Sequence, residues 1–344
     1  MIRCHKAKSR IGFAHIFHGA HKLLLGSVPV SASTPRAHST AASMSGKNPT
    51  SDSSGVGPVL TALKILRRNW NIDGIMPEGD SVYQLSKRLQ WMQNREVTAT
   101  SIRVPRYATV DFTGMTCERV WPHGKHLFMQ FAKDGYQPQI LHTHLKMEGT
   151  WAMHRAGTRW KKPAHAARVV LSLHDEPKAD IELVGFWLGL VRVFPAREYH
   201  QEMGYLGPDL LDPDFDIDEA VRRIEAEPDR EIGRALLDQR KLAGIGNEYR
   251  AEINFLAGTH PAELVRDVDV EKHVRLARRL MWANKDAPVR VTTGIKRAGE
   301  TSYVFGRNNK PCRRCGTLIT KGFLGGEGDL ERVIWWCPQC QPEP

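Results

Sequence analysis

The chain has 344 residues, 41% hydrophobic and 25% charged, which is enough for two or three domains, and no apolar run long enough to span a bilayer as a helix. Its net charge of +11 says little by itself, because residues 1–75 hold ten Lys and Arg against two acids and leave only +3 from Met76 onward. Clustering is more telling: Arg290, Lys296, Arg297, Arg307, Lys310, Arg313 and Arg314 crowd one stretch suited to phosphates, whereas acids gather between positions 209 and 231.

Residues 1–51 contain no Asp or Glu and show little periodicity, so a disordered extension over 1–75 is expected. It reads either as a wrongly assigned upstream start codon, with Met76 the true start, or as a transit peptide. From Met76, Val82, Leu85, Leu89 and Met92 recur at helical spacing, with Asp80 and Ser81 placed to cap the first turn. Alternating segments at 103–112, 126–131, 139–143, 167–173, 180–184 and 190–194 predict the strands of an antiparallel sandwich. After a linker at 204–213 the period turns helical, over 220–225, 232–242, 248–257 and 270–285. The Gly-rich tail from Thr301 predicts a small ribbon. The expected class is therefore α+β and multidomain, with a catalytic sandwich at 76–203, a helical module at 204–295 and a cysteine-bearing hairpin at 296–344.

Two C-x-x-C pairs, Cys312 with Cys315 and Cys337 with Cys340, stand 21 residues apart. That spacing fits tetrahedral thiolate coordination of one structural zinc ion, with a disulfide framework as the alternative. Such an ion would hold a hairpin whose core is too small to fold unaided.

The run from Lys241 to Asn247 contains Gly244 and Gly246, which permit a tight turn whose amides and following helix N-terminus could receive a phosphate, with Asn247 adding a hydrogen bond. A plain helix connection is the other reading.

The segment LDQRKLAGIGNEYRAEINFLAGTHP, from Leu237 to Pro261, resembles the helix-two-turn-helix of the formamidopyrimidine-DNA glycosylase and endonuclease VIII family. MPEGD at 76–80, VFGR at 304–307 and PCRRCG at 311–316 are similar to that family's other motifs, in the same order. The resemblance covers nearly the whole chain from Met76. It implies a DNA glycosylase and abasic-site lyase acting on damaged duplex DNA, working as a monomer without a membrane. A cytoplasmic, nucleoid-associated location is expected, or a mitochondrial or nuclear one if the extension is a targeting segment.

The resemblance also implies roles. Pro77, bared by loss of Met76, would attack C1′ of a flipped nucleotide, since a terminal secondary amine can form an iminium and a nearby helix N-terminus would keep more of it unprotonated. Glu78 would move protons during base loss. Lys125, in HGKHLFMQF, would contact the lesion phosphate. Met147, in HTHLKMEG, would wedge into the gap left by the base, with His144 supporting its loop. Glu148 is an acid where it would face stacked bases. Arg332, five positions before Cys337, would reach phosphates from a hairpin made longer and more acidic by GGEGD at 325–329. The short stretch 292–303 leaves little room for a lid over an oxidised purine, so oxidised pyrimidines are favoured, with β,δ-elimination. An oxidised-purine glycosylase is one alternative, and a catalytically silent damaged-DNA binder is another. A zinc-ribbon RNA or translation factor would not explain positions 76–80.

Overall fold

The computed structural model describes residues 77–326 and 329–344; the extension at 1–75, Met76 and the hairpin tip at 327–328 lie outside the described residues. Helix α1 (Gly79–Leu89) leads into eight strands: β1 (Val97–Ile102), β2 (Thr116–His123), β3 (His126–Ala132), β4 (Gln139–His144), β5 (Thr150–Arg155), β6 (Ala167–Leu173), β7 (Ile181–Phe186) and β8 (Leu190–Pro195). They form two four-stranded antiparallel sheets, ordered β1-β6-β7-β5 and β2-β3-β4-β8. Alternation along each strand separates a core face from an outer face. Thus Leu127, Met129 and Phe131 of β3 pack with Leu141, Val169, Leu171 and Leu183, and α1 lays Val82 and Leu89 on the same core.

The outer face of the second sheet is unusual. His126 and Phe128 of β3 lie beside His142 of β4 and under Phe194, Met203 and Leu206. Buried rings replace the polar side chains that a solvated face would carry, because α2 (Tyr199–Met203) covers them.

Four helices follow β8 and α2: α3 (Ile217–Glu225), α4 (Ile232–Ala235), α5 (Asn247–Ala257) and α6 (Val270–Asn284). Asp216 and Asp269 cap α3 and α6 by accepting the N–H of Glu219 and Lys272 at 2.9 and 2.8 Å. Ile224, Leu236, Leu242, Ile245, Tyr249, Ile253, Val274 and Met281 make this second core. The hairpin of β9 (Thr320–Gly326) and β10 (Asp329–Trp336) ends the chain.

Several expectations need correction. Residues 103–112 are not a strand: β1 ends at Ile102, and Pro105 fixes a short 3-10 turn over Pro105–Tyr107. The strands β1, β2 and β5 went unpredicted because polar residues interrupt their alternation. The helix expected over 232–242 stops at Ala235, since the Asp238 carboxylate accepts the N–H of Arg240 and closes a turn there. Residues 204–213 are no loose linker, for Gly207 N–H reaches Gln239 O at 2.8 Å and Ala243 N–H reaches Pro208 O at 2.9 Å. Neither Asp80 nor Ser81 caps α1; Glu78 occupies that position, and Asp80 is turned into a buried ion pair.

Candidate active site

The residue after Pro77 organises the site. Glu78 has no exposed surface, and its side chain crosses from the start of α1 to the start of α5. One carboxylate oxygen accepts the Gly246 N–H at 2.6 Å and the other accepts the Glu248 N–H at 2.8 Å, with Tyr249 N–H at 3.5 Å. These are the unsatisfied donors that every helix N-terminus leaves, and the helix dipole adds to their attraction for an anion. The turn was expected to offer its amides to a phosphate, yet Gly246 and Glu248 spend theirs on a carboxylate of the chain itself. Glycine is required for this approach: a Cβ on Gly246 would sit 2.4 Å from the Glu78 carboxyl carbon. Gly79 N–H also donates to Gly244 O at 2.9 Å, which ties α1 to the same turn.

Arg290 lies beneath this contact, 6% exposed, and so leaves the basic surface patch expected from its sequence neighbours. Its guanidinium donates to both Asp80 oxygens at 2.8 and 2.5 Å and to Glu248 at 2.7 Å, and lies 3.7 Å from Glu78. Tyr249 donates its hydroxyl to Asp80 at 2.9 Å and places its ring 4.8 Å from the guanidinium. Burial pushes the Glu78 carboxyl above the usual carboxylate range, opposed by Arg290 and Lys125. Glu248 is raised for the same reason, again opposed by Arg290.

Lys125 follows Gly124 at the β2–β3 turn and is half-buried. Burial, and then Arg332, Lys146 and Arg290, push its ammonium down to about 8, against the pull of Glu78. The same neighbours show that Lys125, Glu78 and Arg332 share one electrostatic environment. Asn247 and Arg250 draw β10 into it, since both donate to the Val333 carbonyl, at 3.0 and 2.7 Å. Arg332, the adjacent residue, is exposed. Met147 is 60% exposed on a loop shaped by left-handed Lys146, whose N–H reaches His144 Nδ1 at 2.9 Å. His126 and His144 are pushed down to about 4 and about 3 by burial, and His142 lower still, so these three rings favour the neutral form.

Cys312, Cys315, Cys337 and Cys340 converge with all four Sγ atoms within 4.8 Å of one another. Metal–sulfur bonds of about 2.3 Å in a tetrahedron would set neighbouring sulfurs nearly 4 Å apart, so the four thiols fit one metal ion. The hairpin has little core of its own and leans on α5 through Ala251, Phe255, Val304 and Ile319. Buried Glu252 fixes that join by accepting the N–H groups of Tyr303, Val304 and Phe305 at 2.7, 2.8 and 2.9 Å.

The structure thus brings Glu78, Lys125, Gly246, Asn247 and Arg332 to one place, adjoining Pro77. Sequence reasoning missed Asp80, Glu248, Tyr249, Glu252 and Arg290 as parts of the site. The available signal was the pair of acids at 248 and 252, spaced four apart on a helix with apolar neighbours, where an unpaired charge could not stay.

A paired β-sandwich, a helical module whose turn grips the Glu78 carboxylate, and a four-cysteine hairpin together define a DNA glycosylase and lyase of a known architecture. The family model described as the formamidopyrimidine-DNA glycosylase N-terminal domain matches residues 76–183, and that of the formamidopyrimidine-DNA glycosylase H2TH domain matches 206–292. A Streptomyces coelicolor protein named probable endonuclease 8 2 is 43% identical over 274 residues, 78% of this chain and 95% of that one. The DNA-(apurinic or apyrimidinic site) lyase Nei2 of Mycolicibacterium smegmatis is 40% identical over 268 residues, 77% of this chain and 99% of that one. The fold matches a Lactococcus lactis Fpg (MutM) solved with DNA containing N7-benzyl-Fapy-dG, at a TM-score of 0.62 and 21% identity, over 78% of this chain and 100% of that one. The chain belongs to the formamidopyrimidine-DNA glycosylase family.

Proposed function

We propose that the protein excises oxidised bases from duplex DNA, pyrimidines in preference, and nicks the strand by β,δ-elimination. The Pro77 nitrogen lone pair would form a bond to C1′ as the glycosidic bond breaks and the departing base takes up a proton; loss of the N–H proton and cleavage of the C1′–O4′ bond, with a proton delivered to O4′, would then open the sugar and give the iminium. Glu78 would move protons beside that amine. Lys125, Asn247 and Arg332 would hold phosphates, and Met147 would fill the gap left by the base, with His144 steadying its loop. One zinc ion on the four cysteines would keep the hairpin folded, and the chain would act as a monomer. The division into 76–203, 204–295 and 296–344 follows the same reading.

The observation that carries this reading is Glu78, the residue after Pro77, held at the head of α5 by the Gly246 and Glu248 N–H groups, where its carboxyl would serve proton transfer. The N-terminal family match beginning at residue 76 supports the same point. A pyrimidine preference draws support from relatives at 40% identity or more bearing the name endonuclease 8, while a relative named formamidopyrimidine-DNA glycosylase, from Oceanobacillus iheyensis, stands at 30%.

A second reading rests on residues 1–76, because a protein that keeps them would hold the Pro77 nitrogen in a peptide bond and would be a silent DNA binder. Intact mass of the native protein, with borohydride trapping on abasic DNA, decides between them. A chain starting at Pro77 that traps supports the enzyme; a longer chain that binds and never traps supports the binder.

A further inference from the structure

We infer that Arg290 is a positioning residue for the reaction, clamping the first turn of α1 to the first turn of α5 and so setting where Glu78 sits and how it handles a proton. The inference rests on the glycosylase reading for the role of Glu78 and goes beyond it, since no motif includes Arg290.

The argument begins with charge. Three buried carboxylates, Asp80, Glu248 and Glu78, are 3%, 8% and 0% exposed, and burying them together is unfavourable without a cation. Arg290 supplies it in a way lysine could not, because the planar fork serves separate acceptors at once. Nε and Nη2 take Asp80, Nη2 also reaches Ser81 Oγ at 3.3 Å, and Nη1 takes Glu248. Glu78 is left 3.7 Å from Nη1, close enough to feel the charge and bonded instead to the α5 amides. The clamp spans 210 positions to Asp80 and 42 to Glu248.

Such an arrangement divides the labour among the acids. Asp80 and Glu248 are held by direct bonds to a permanent cation, whereas Glu78 responds to that cation only through space. Glu78 also faces Lys125 from the β2–β3 turn, and Glu248, Tyr249 and Arg250 from α5, with Asp80 on its own helix. Of these, Arg290 opposes protonation of Glu78 most. Without it the Glu78 carboxyl would hold a proton to higher pH.

The test uses the full protein processed to a free Pro77, with zinc content and duplex binding measured on each variant to show that it is folded. Base excision and borohydride trapping on abasic DNA are followed from pH 5 to 9. Arg290→Gln is expected to lower excision at least tenfold, to affect trapping less, and to move the Glu78-dependent limb of the excision profile upward by about one pH unit. Arg290→Lys, which keeps the charge and loses the fork, is expected to restore the limb to its wild-type place while excision stays several-fold down. If Arg290→Gln does not fold, the lysine variant decides: an unaltered rate would overturn the clamp. A uniform fall in excision and trapping with no movement of the limb would reduce Arg290 to a structural ion pair and overturn the inference. Failure of the underlying reading looks different, because the wild type would then neither excise nor trap.

Discussion

Gly246 donates its backbone N–H to the Glu78 carboxylate at 2.6 Å, joining residues 168 positions apart. Together with the bonds from Glu248 N–H to Glu78 and from Gly79 N–H to Gly244 O, it couples the start of α1 to the helix that carries Asn247, so Glu78 and the turn before α5 hold one fixed relation. The closeness also excludes water from Glu78, which strengthens every charge acting on it.

Gly246→Ala is expected to break that coupling. The new Cβ would meet the Glu78 carboxyl carbon at 2.4 Å, so either the helix or the acid must withdraw. Overpacking of this kind costs about 1–3 kcal/mol, and the lost buried bonds add to it. Thermal unfolding should show the destabilisation, and excision should fall further than duplex binding. A variant as stable and active as wild type would mean that the contact does not exist in solution.

Glu78→Gln separates the two half-reactions. An amide keeps the shape and one acceptor but cannot give or take the proton that base departure needs, so excision should drop on the order of a hundredfold, the usual scale for general acid–base catalysis. Iminium trapping on abasic DNA, which has no base to expel, should persist. Excision at the wild-type rate would remove Glu78 from the chemistry.

Much of this was legible in the sequence, for reasons particular to each part. The cysteine pairs are a local pattern whose chemistry follows from spacing, the roles of Pro77 and Glu78 were legible only through the family resemblance, and five of the eight sandwich strands, β3, β4, β6, β7 and β8, followed from alternation, whereas β1, β2 and β5 did not. Arg290 was not legible as an anchor, because its partners come from positions 78, 80 and 248, and a lone arginine among basic neighbours reads as surface. Nor could the sequence say that the amides of Gly246 and Glu248 are taken by Glu78, since an inward and an outward turn share the same glycines.

Removing the metal proposed for the four cysteines tests the hairpin. Its core contacts are few and Cys337 is fully buried, so chelation or Cys337→Ser should melt β9 and β10, with a change in the fluorescence of Trp335 and Trp336, while the sandwich stays folded. One zinc per chain should be measured beforehand. A hairpin that keeps its fluorescence without metal would argue against a structural ion.

Arg332→Ala should weaken damaged and undamaged duplexes alike, by several-fold, and should flatten the dependence of affinity on salt by about one phosphate contact. Equal affinity before and after the substitution, across salt concentrations, would take Arg332 out of the interface.

Lys125 gives the pH signature. Its ammonium is pushed down to about 8 in the free protein, by burial first and by Arg332, Lys146 and Arg290 after it. A phosphate bound against it would restore the charge, so above pH 8 binding must take up a proton, and affinity should fall by up to about tenfold per pH unit. Lys125→Arg stays charged throughout. The comparison matters because every other titrating group is common to both proteins, so the difference between their profiles isolates position 125. Calorimetry at pH 9 in two buffers of different ionisation enthalpy would count the protons directly, with wild type taking up more than the arginine variant. Identical proton uptake and parallel affinity profiles would place Lys125 away from the phosphate, and its lowered proton affinity would then have no bearing on binding.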